Sequence, residues 1–460
     1  MIPDDRRRGT AFATLALLVV LGGDVLRNAT GFVGWGIVCG VVAIASAVVA
    51  WRHRAALRPV SRRGVALLAV VVASIAWSAY PLASAGMVVL TLATVAGGLA
   101  VAGLLPWPWI VVSLGRALRT LVLTSLLFEL VVSVFVRQPF CPVYYSCGPD
   151  VPDAFYWSRD LLFEGGRIQG LQGNSNLLAV LALLALIVTG CQAAARTVSR
   201  PVAVVGVGSA VLALLLTRSA TVGVVAVAVA VVLLVALLVR RAPEGRRARV
   251  VGVALVGVVA LGAAALAARG PLLALAGRSQ DLTGRLDIWS AVLDLGRQRP
   301  VLGWGWVSYW VPGVEPFDGL ADRNGVEYLQ AHDAYLDVWF QLGWLGLVVF
   351  GLLLVGLVLR SWWWATDARV LDARHVAPWT ALDLLPLLLT TALLVHGLAE
   401  SRLIMEWGAA LLVVLVVVTK RDQLGWAEHD RPARAEHPVE VERPVGSDRP
   451  VEVERPGAPA

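Results

Sequence analysis

Apolar runs of membrane-spanning length alternate with short polar segments along almost the whole chain. They fall near 10–26, 31–50, 64–80, 82–104, 117–136, 176–191, 201–217, 219–239, 249–267, 336–359, 381–398 and 402–419. An apolar stretch of that length, with few charges, is the signature of a helix that crosses a bilayer. The pattern predicts an all-α polytopic membrane protein with about twelve transmembrane helices, occupying residues 1–420. Two polar segments are longer than a connection needs, at about 137–175 and about 268–335. Loops of that length are usually functional. Within the second, Leu286, Trp289, Leu293 and Gly296 recur at helical spacing with Val292 beside them, while Asp287, Asp294 and Arg297 fall off the stripe. This predicts a short amphipathic helix on the membrane surface, ended by Pro300. From about 421 the pattern is lost. Pro438-Val439-Glu440-Val441-Glu442-Arg443-Pro444 returns as Pro450-Val451-Glu452-Val453-Glu454-Arg455-Pro456, a twelve-residue repeat expected to be a disordered cytoplasmic tail over 421–460.

Composition agrees with the pattern. Hydrophobic residues make up 58% of the 460 residues and charged ones 15%, too few charges to cover a soluble surface of this size. The formal charge of +7 comes from arginines grouped in segments 51–63, 116–119, 196–200, 240–249 and 360–374 and at Arg6, Arg7 and Arg8. With twelve spans these segments share one face with both termini, and the positive-inside rule makes that face cytoplasmic. The charge thus reports topology and gives no reason to expect a nucleic-acid partner. The first apolar run is followed almost at once by a second, with no small-residue cleavage site between them, so it reads as a retained helix. Cys141 and Cys147 lie in the segment assigned to the outer face, where disulfides persist; a local bridge is expected, with two free thiols as the alternative.

The residues able to carry chemistry gather in the same outer segments. His332 closes the longest of them, and Asp333 or Asp337 could orient its imidazole. Arg167, Arg218 and Arg285 place three planar guanidiniums on the outer face, a set suited to bidentate binding of a diphosphate. The turn between the last two spans adds His396, Glu400, Arg402 and Glu406, with a Glu400–Arg402 ion pair as the simplest reading. No Asp-x-Asp, no His/Cys ligand spacing on the outer face and no Walker-type loop occur in the chain, so no metal site and no cofactor are expected.

Four motifs in order resemble the O-antigen ligase/polymerase superfamily of bacterial membrane glycosyltransferases, over roughly residues 165–415. Gly166-Arg167-Ile168-Gln169-Gly170 leading to Asn174-Ser175-Asn176-Leu177 is similar to the family's Arg-x-x-Gly…Pro-Asn segment, and Thr217-Arg218-Ser219 to its Ser-Arg turn. Gly284-Arg285-Leu286-Asp287-Ile288-Trp289 with Pro300…Gly303-x-Gly305 resembles its Gly-Arg…Trp and Pro-x-x-Gly-x-Gly pair. Ala331-His332-Asp333-Ala334-Tyr335-Leu336 with Gly343-x-x-Gly346 resembles its His-Asn-x-x-Leu…Gly-x-x-Gly run. Ser175 stands where the family usually has proline, and Asp333 where it usually has asparagine.

The resemblance implies a fold like that of GT-C-type ligases, with an extracytoplasmic lid carrying short amphipathic helices over the bundle. It implies a metal-independent, inverting transfer of a glycan from a polyprenyl diphosphate (undecaprenyl diphosphate in bacteria) to a hydroxyl of a glycan, lipid or protein acceptor. In that chemistry Arg167, Arg218 and Arg285 would hold the diphosphate, and His332 with Asp333 would take the acceptor's proton. The alternatives are a polysaccharide repeat-unit polymerase, or a transporter or flippase of lipid-linked sugars. A transporter would place charges along the middle of several spans, whereas here the polar residues collect in outer loops.

Overall fold

A computed structural model describes residues 3–57, 61–148, 151–267, 285–323, 326–367, 370–372, 375–376 and 379–429. Gly284, the stretch 268–284 and the repeat at 438–456 lie outside them. Thirteen α-helices are described: α1 Pro3–Leu21, α2 Gly23–Arg52, α3 Arg62–Ala73, α4 Pro81–Leu104, α5 Trp107–Val131, α6 Ser175–Ala194, α7 Arg200–Thr217, α8 Ala220–Arg241, α9 Glu244–Ala267, α10 Arg285–Gly296, α11 Ala334–Thr366, α12 Leu385–His396 and α13 Glu406–His429. Strands are confined, among the described residues, to two short antiparallel pairs. The protein is an all-α, multi-pass membrane protein.

Eight of these helices are long and apolar enough to cross a membrane, fewer than the twelve spans expected. The difference has local causes. The run 64–80 becomes a twelve-residue helix α3 followed by a 3-10 turn at Ser74–Ala76, and 381–398 becomes a 3-10 turn at Ala381–Leu384 followed by the short α12. The first run is shifted to Pro3–Leu21 and takes in Arg6, Arg7 and Arg8, and the last shifts to Glu406–His429. Helix α13 therefore carries on past position 421, where the tail was expected to begin.

Helix α6 is the centre of the bundle: most of its apolar window is buried, against α5, α7, α8 and α12. Its start is set by Asn174, whose side chain accepts from the N–H groups of Asn176 and Leu177. Proline opens α4, α7 and α12, where a missing N–H costs nothing. The faces of α2, α4 and α8 turned away from the bundle expose Val33, Ile37, Leu82, Val224 and other large apolar groups. A bilayer is the environment that suits them.

The two ends of the bundle differ in character. At one end Arg6 lies over the Trp109 ring, Arg240 donates to the Ala365 carbonyl, Arg421 to that of Ala102, and Arg247 pairs with Asp367. Both ends of the described chain are there. The other end carries the long connections, including the Cys141–Cys147 disulfide, whose Cα atoms are 5.8 Å apart. There Phe317, Trp310, Val307, Phe340, Ile288 and Val292 form a second, smaller core under the segment 285–332.

This lid is fastened to α11 through broken helix backbone. Gly343 adopts φ 63°, ψ −165° inside α11, which frees carbonyls before it and N–H groups after it. Segment 300–305 takes all four: Trp304 and Gly305 N–H donate to the carbonyls of Phe340 and Gln341, and Trp344 and Leu345 N–H to those of Pro300 and Val301. Backbone at membrane depth must be satisfied within the protein, and the two glycine motifs do this jointly. A Cβ on Gly343 would run into the Val301 carbonyl, and one on Gly303 (φ 70°) into that of Gln341. Gly343→Ala is therefore expected to destabilise the detergent-solubilised protein by roughly 2–5 kcal/mol, from backbone strain plus overpacking. Gly351→Ala on the same helix, where nothing lies within 4 Å of the added methyl, should leave the thermal midpoint unchanged or slightly raised.

Candidate active site

Residue His332 ends the lid, just before α11, with φ 52°. A left-handed backbone at a non-glycine residue is uncommon and is held only where its surroundings impose it. Here Ala331 N–H is bound by Asp337, and Asp333 caps α11. The imidazole Nδ1 lies 2.9 Å from Glu400 Oε2, and the other oxygen of Glu400 is 3.2 Å from a terminal nitrogen of Arg285. Gln330 reaches the same carboxylate at 3.5 Å and accepts from Ser401 N–H. The ring of Tyr328 stands edge-on to His332 at 5.3 Å.

The carboxyl of Glu400 sits at about 2. Burial alone would push it up; the adjoining His332 imidazole, His396 and Arg285 guanidinium pull it down further. Glu400 is thus an anion with no proton to give, so His332 Nδ1 carries the hydrogen of this bond. In the neutral imidazole the lone pair is then left on Nε2, the arrangement needed for a general base. Glutamate ordinarily titrates near 4.5, so the ionised Glu400 contributes stability that is complete above that pH and is lost as pH falls toward 2. The difference in thermal stability between native protein and Glu400→Gln should therefore narrow as the buffer is taken from about pH 6 to about pH 3.

The carboxylate on His332 is Glu400, not Asp333 or Asp337. Asp333 accepts from Tyr335 and Leu336 N–H, each at 2.9 Å, a helix cap that asparagine would make equally well. Burial pushes the Asp333 carboxyl up, against the pull of those two donors. Nor do Glu400 and Arg402 pair with each other. Arg402 is buried against Asp24 at 3.2 Å and against Glu406, with its guanidinium 5.8 Å from the Tyr309 ring. His396 is buried beside Trp407, and its Nε2 makes no hydrogen bond to the described residues.

The other two arginines meet at a second place. Arg167 donates to the Thr217 carbonyl at 3.1 Å and to Asn176 Oδ1 at 2.9 Å. Ser219 donates to the same Asn176 oxygen. Between Thr217 and Ser219, Arg218 takes a left-handed conformation, φ 46°, ψ 38°, and projects its exposed guanidinium past Gly165. The loop bearing Arg167 hangs on Glu129: its carboxylate accepts from Gln169 N–H, Gly170 N–H and the Ser158 hydroxyl. Sequence reasoning passed over Glu129, although a lone carboxylate in an apolar run is a signal in its own right.

Helix α10 forms with its start at Arg285, but its faces differ from expectation. Ile288, Val292 and Gly296 are the buried ones, Gly296 close against Trp339, while Leu286 and Leu293 are exposed. Trp289 is tied to the Ala331 carbonyl at 2.9 Å, one residue from His332. The helix therefore has an apolar face toward the protein and another turned outward, as suits a helix lying at a lipid surface.

A family model described as O-antigen ligase matches residues 203–351. That stretch holds Arg218, Arg285 and His332 and ends inside α11; Arg167 and Glu400 fall outside it. No curated protein matches the chain. The match supports the resemblance to the O-antigen ligase superfamily, and with it a multi-pass membrane enzyme of the ligase/polymerase type.

Proposed function

We propose that this protein transfers a glycan from a polyprenyl diphosphate to an acceptor hydroxyl on the outer face of the membrane, as an O-antigen ligase does, with inversion and without a metal. The observation that carries this reading is the His332–Glu400–Arg285 arrangement at the loop-rich end of the bundle. His332 Nε2 takes the proton of the acceptor hydroxyl as that oxygen bonds to the anomeric carbon. The bond from that carbon to the diphosphate breaks, and its electron pair leaves on the diphosphate oxygen. Arg218 is exposed, and Arg285 spends one nitrogen on Glu400, so both can donate to the growing negative charge. Arg167 holds the turn that aims Arg218. The apolar outer face of α10, with Leu286 and Leu293, lies against the lipid portion of the donor.

The outer-face placement is tested by cysteine labelling. Asp318→Cys, on the exposed part of the lid, should react with an impermeant thiol reagent in intact cells. Glu244→Cys, at the start of α9, should react only after permeabilisation. The reverse pattern would put the site in the cytoplasm and remove the lipid-linked donor from the account. The acceptor class is tested by the glycan profile of a deletion strain. Long undecorated lipid-linked chains are expected, whereas accumulation of single repeat units would assign a polymerase.

A further inference from the structure

The carboxylate of Asp337 lies one turn into α11, fully buried, and no cationic side chain among the described residues pairs with it. Its Oδ1 accepts from the indole N–H of Trp310 at 3.0 Å, and its Oδ2 accepts from the backbone N–H of Ala331 at 3.0 Å and from the Ser401 hydroxyl. Each of these donors sits at a telling place. Ala331 precedes His332, Ser401 follows Glu400, and Trp310 belongs to the lid's own core. One buried side chain thus joins the lid, the residue before the imidazole and the residue after the carboxylate that orients it. The two partners of the His332–Glu400 bond come from segments 68 positions apart, and no other described carboxylate bonds to both neighbourhoods.

We infer that Asp337 is a positioning residue that sets the His332–Glu400 geometry by holding Ala331 and Ser401 on one carboxylate. The inference rests on the proposed role of His332. It predicts a defect that falls mainly on the chemical step, because Arg218 and the apolar face of α10, which would hold the donor, do not touch Asp337. It also distinguishes Asp337 from Asp333, whose contacts end on its own helix.

Asparagine at 337 keeps the shape but has one acceptor oxygen in place of two, so it cannot accept from Trp310 and from the Ala331–Ser401 pair together, and its NH2 must face one of those donors. The test uses full-length protein in liposomes, with the lipid-linked glycan extracted from cells lacking the protein as donor. Asp337→Asn should lower the maximal rate on the order of 10²-fold, the cost of a misplaced reacting group, with the donor concentration for half-maximal rate unchanged. Ser401→Ala, a milder change at the edge of the network, should give a smaller loss of the same kind. The double variant should be no worse than Asp337→Asn, since both act through one contact. Asp337→Asn combined with Arg218→Ala should show the product of the two losses.

Folding is checked by thermal unfolding, and if Asp337→Asn does not fold, Ser401→Ala alone decides. A native maximal rate in the variant that folds, or a loss confined to donor half-saturation, would overturn the inference. His332→Ala assayed beside them separates the two failures. If it keeps the native rate, the reading of the site is wrong; if it is inactive while the network variants are not, only the positioning role is.

Discussion

Replacing His332 by alanine is expected to reduce glycan transfer about 10²–10⁴-fold, the usual contribution of a positioned general base. The donor should still bind, because the arginines and the outward face of α10 remain. His332→Asn keeps a polar side chain that can hydrogen-bond Glu400 but has no imidazole to take a proton, so it should be nearly as inactive. A near-native rate for that variant would mean that His332 only ties the lid to the last hairpin. Glu400→Gln should fall with it. A neutral amide can still accept from Nδ1, but it no longer stabilises the imidazolium formed when the acceptor proton arrives, and it leaves Arg285 without its counter-charge. Asp333→Asn, in contrast, should keep most activity, because asparagine caps α11 through the same oxygen.

Removal of the Arg285 guanidinium is expected to cost about 10²–10³-fold in transfer, the scale seen when one donor to developing negative charge is lost. Arg285→Ala does two things at once: it withdraws a donor from the diphosphate and strips Glu400 of a cation at 3.2 Å. Arg285→Lys keeps the charge but not the planar fork, and a lysine cannot hold Glu400 and a phosphate oxygen in one fixed plane. Most activity should be lost while the amount of protein in the membrane stays near normal. Arg218→Ala should act differently. Its side chain is exposed and makes no described ion pair, so its loss should fall on the donor with little effect on thermal stability. Full activity in Arg285→Lys would show that charge alone suffices and that the fork is not used.

Much of this could be read from residue order because it depends on local pattern. The apolar runs, the arginine-rich end, the helix beginning at Arg285 and the turn motifs around Arg218 and His332 all follow from composition and spacing within a few residues. Where the reading fell short, the determining contact was distant or the hydropathy pattern was blind to it. Glu400 lies 68 positions from His332, and Asp24 lies 378 from Arg402; one sequence offers no way to pair them, so the nearer Asp333 and Arg402 were the natural guesses. The stripe Leu286–Leu293 was rightly apolar, but an apolar face can turn to lipid as well as to protein, and here Ile288 and Val292 take the inner side. Counting apolar runs could not show that 64–80 and 381–398 fold as the short helices α3 and α12, each joined to a 3-10 turn. The glycines of the Pro-x-x-Gly-x-Gly and Gly-x-x-Gly motifs looked like separate turns; they are the two sides of one backbone junction.

The central claim is that the bond between glycan and diphosphate is broken at His332, and it is tested most directly by following the leaving group. Purified protein in liposomes, given the lipid-linked glycan extracted from deletion-strain membranes and its acceptor in the presence of a chelator, should release one polyprenyl diphosphate for each glycan attached. His332→Ala should release almost none. Movement of intact lipid-linked glycan across the bilayer with no polyprenyl diphosphate released, or equal release by His332→Ala, would contradict the account.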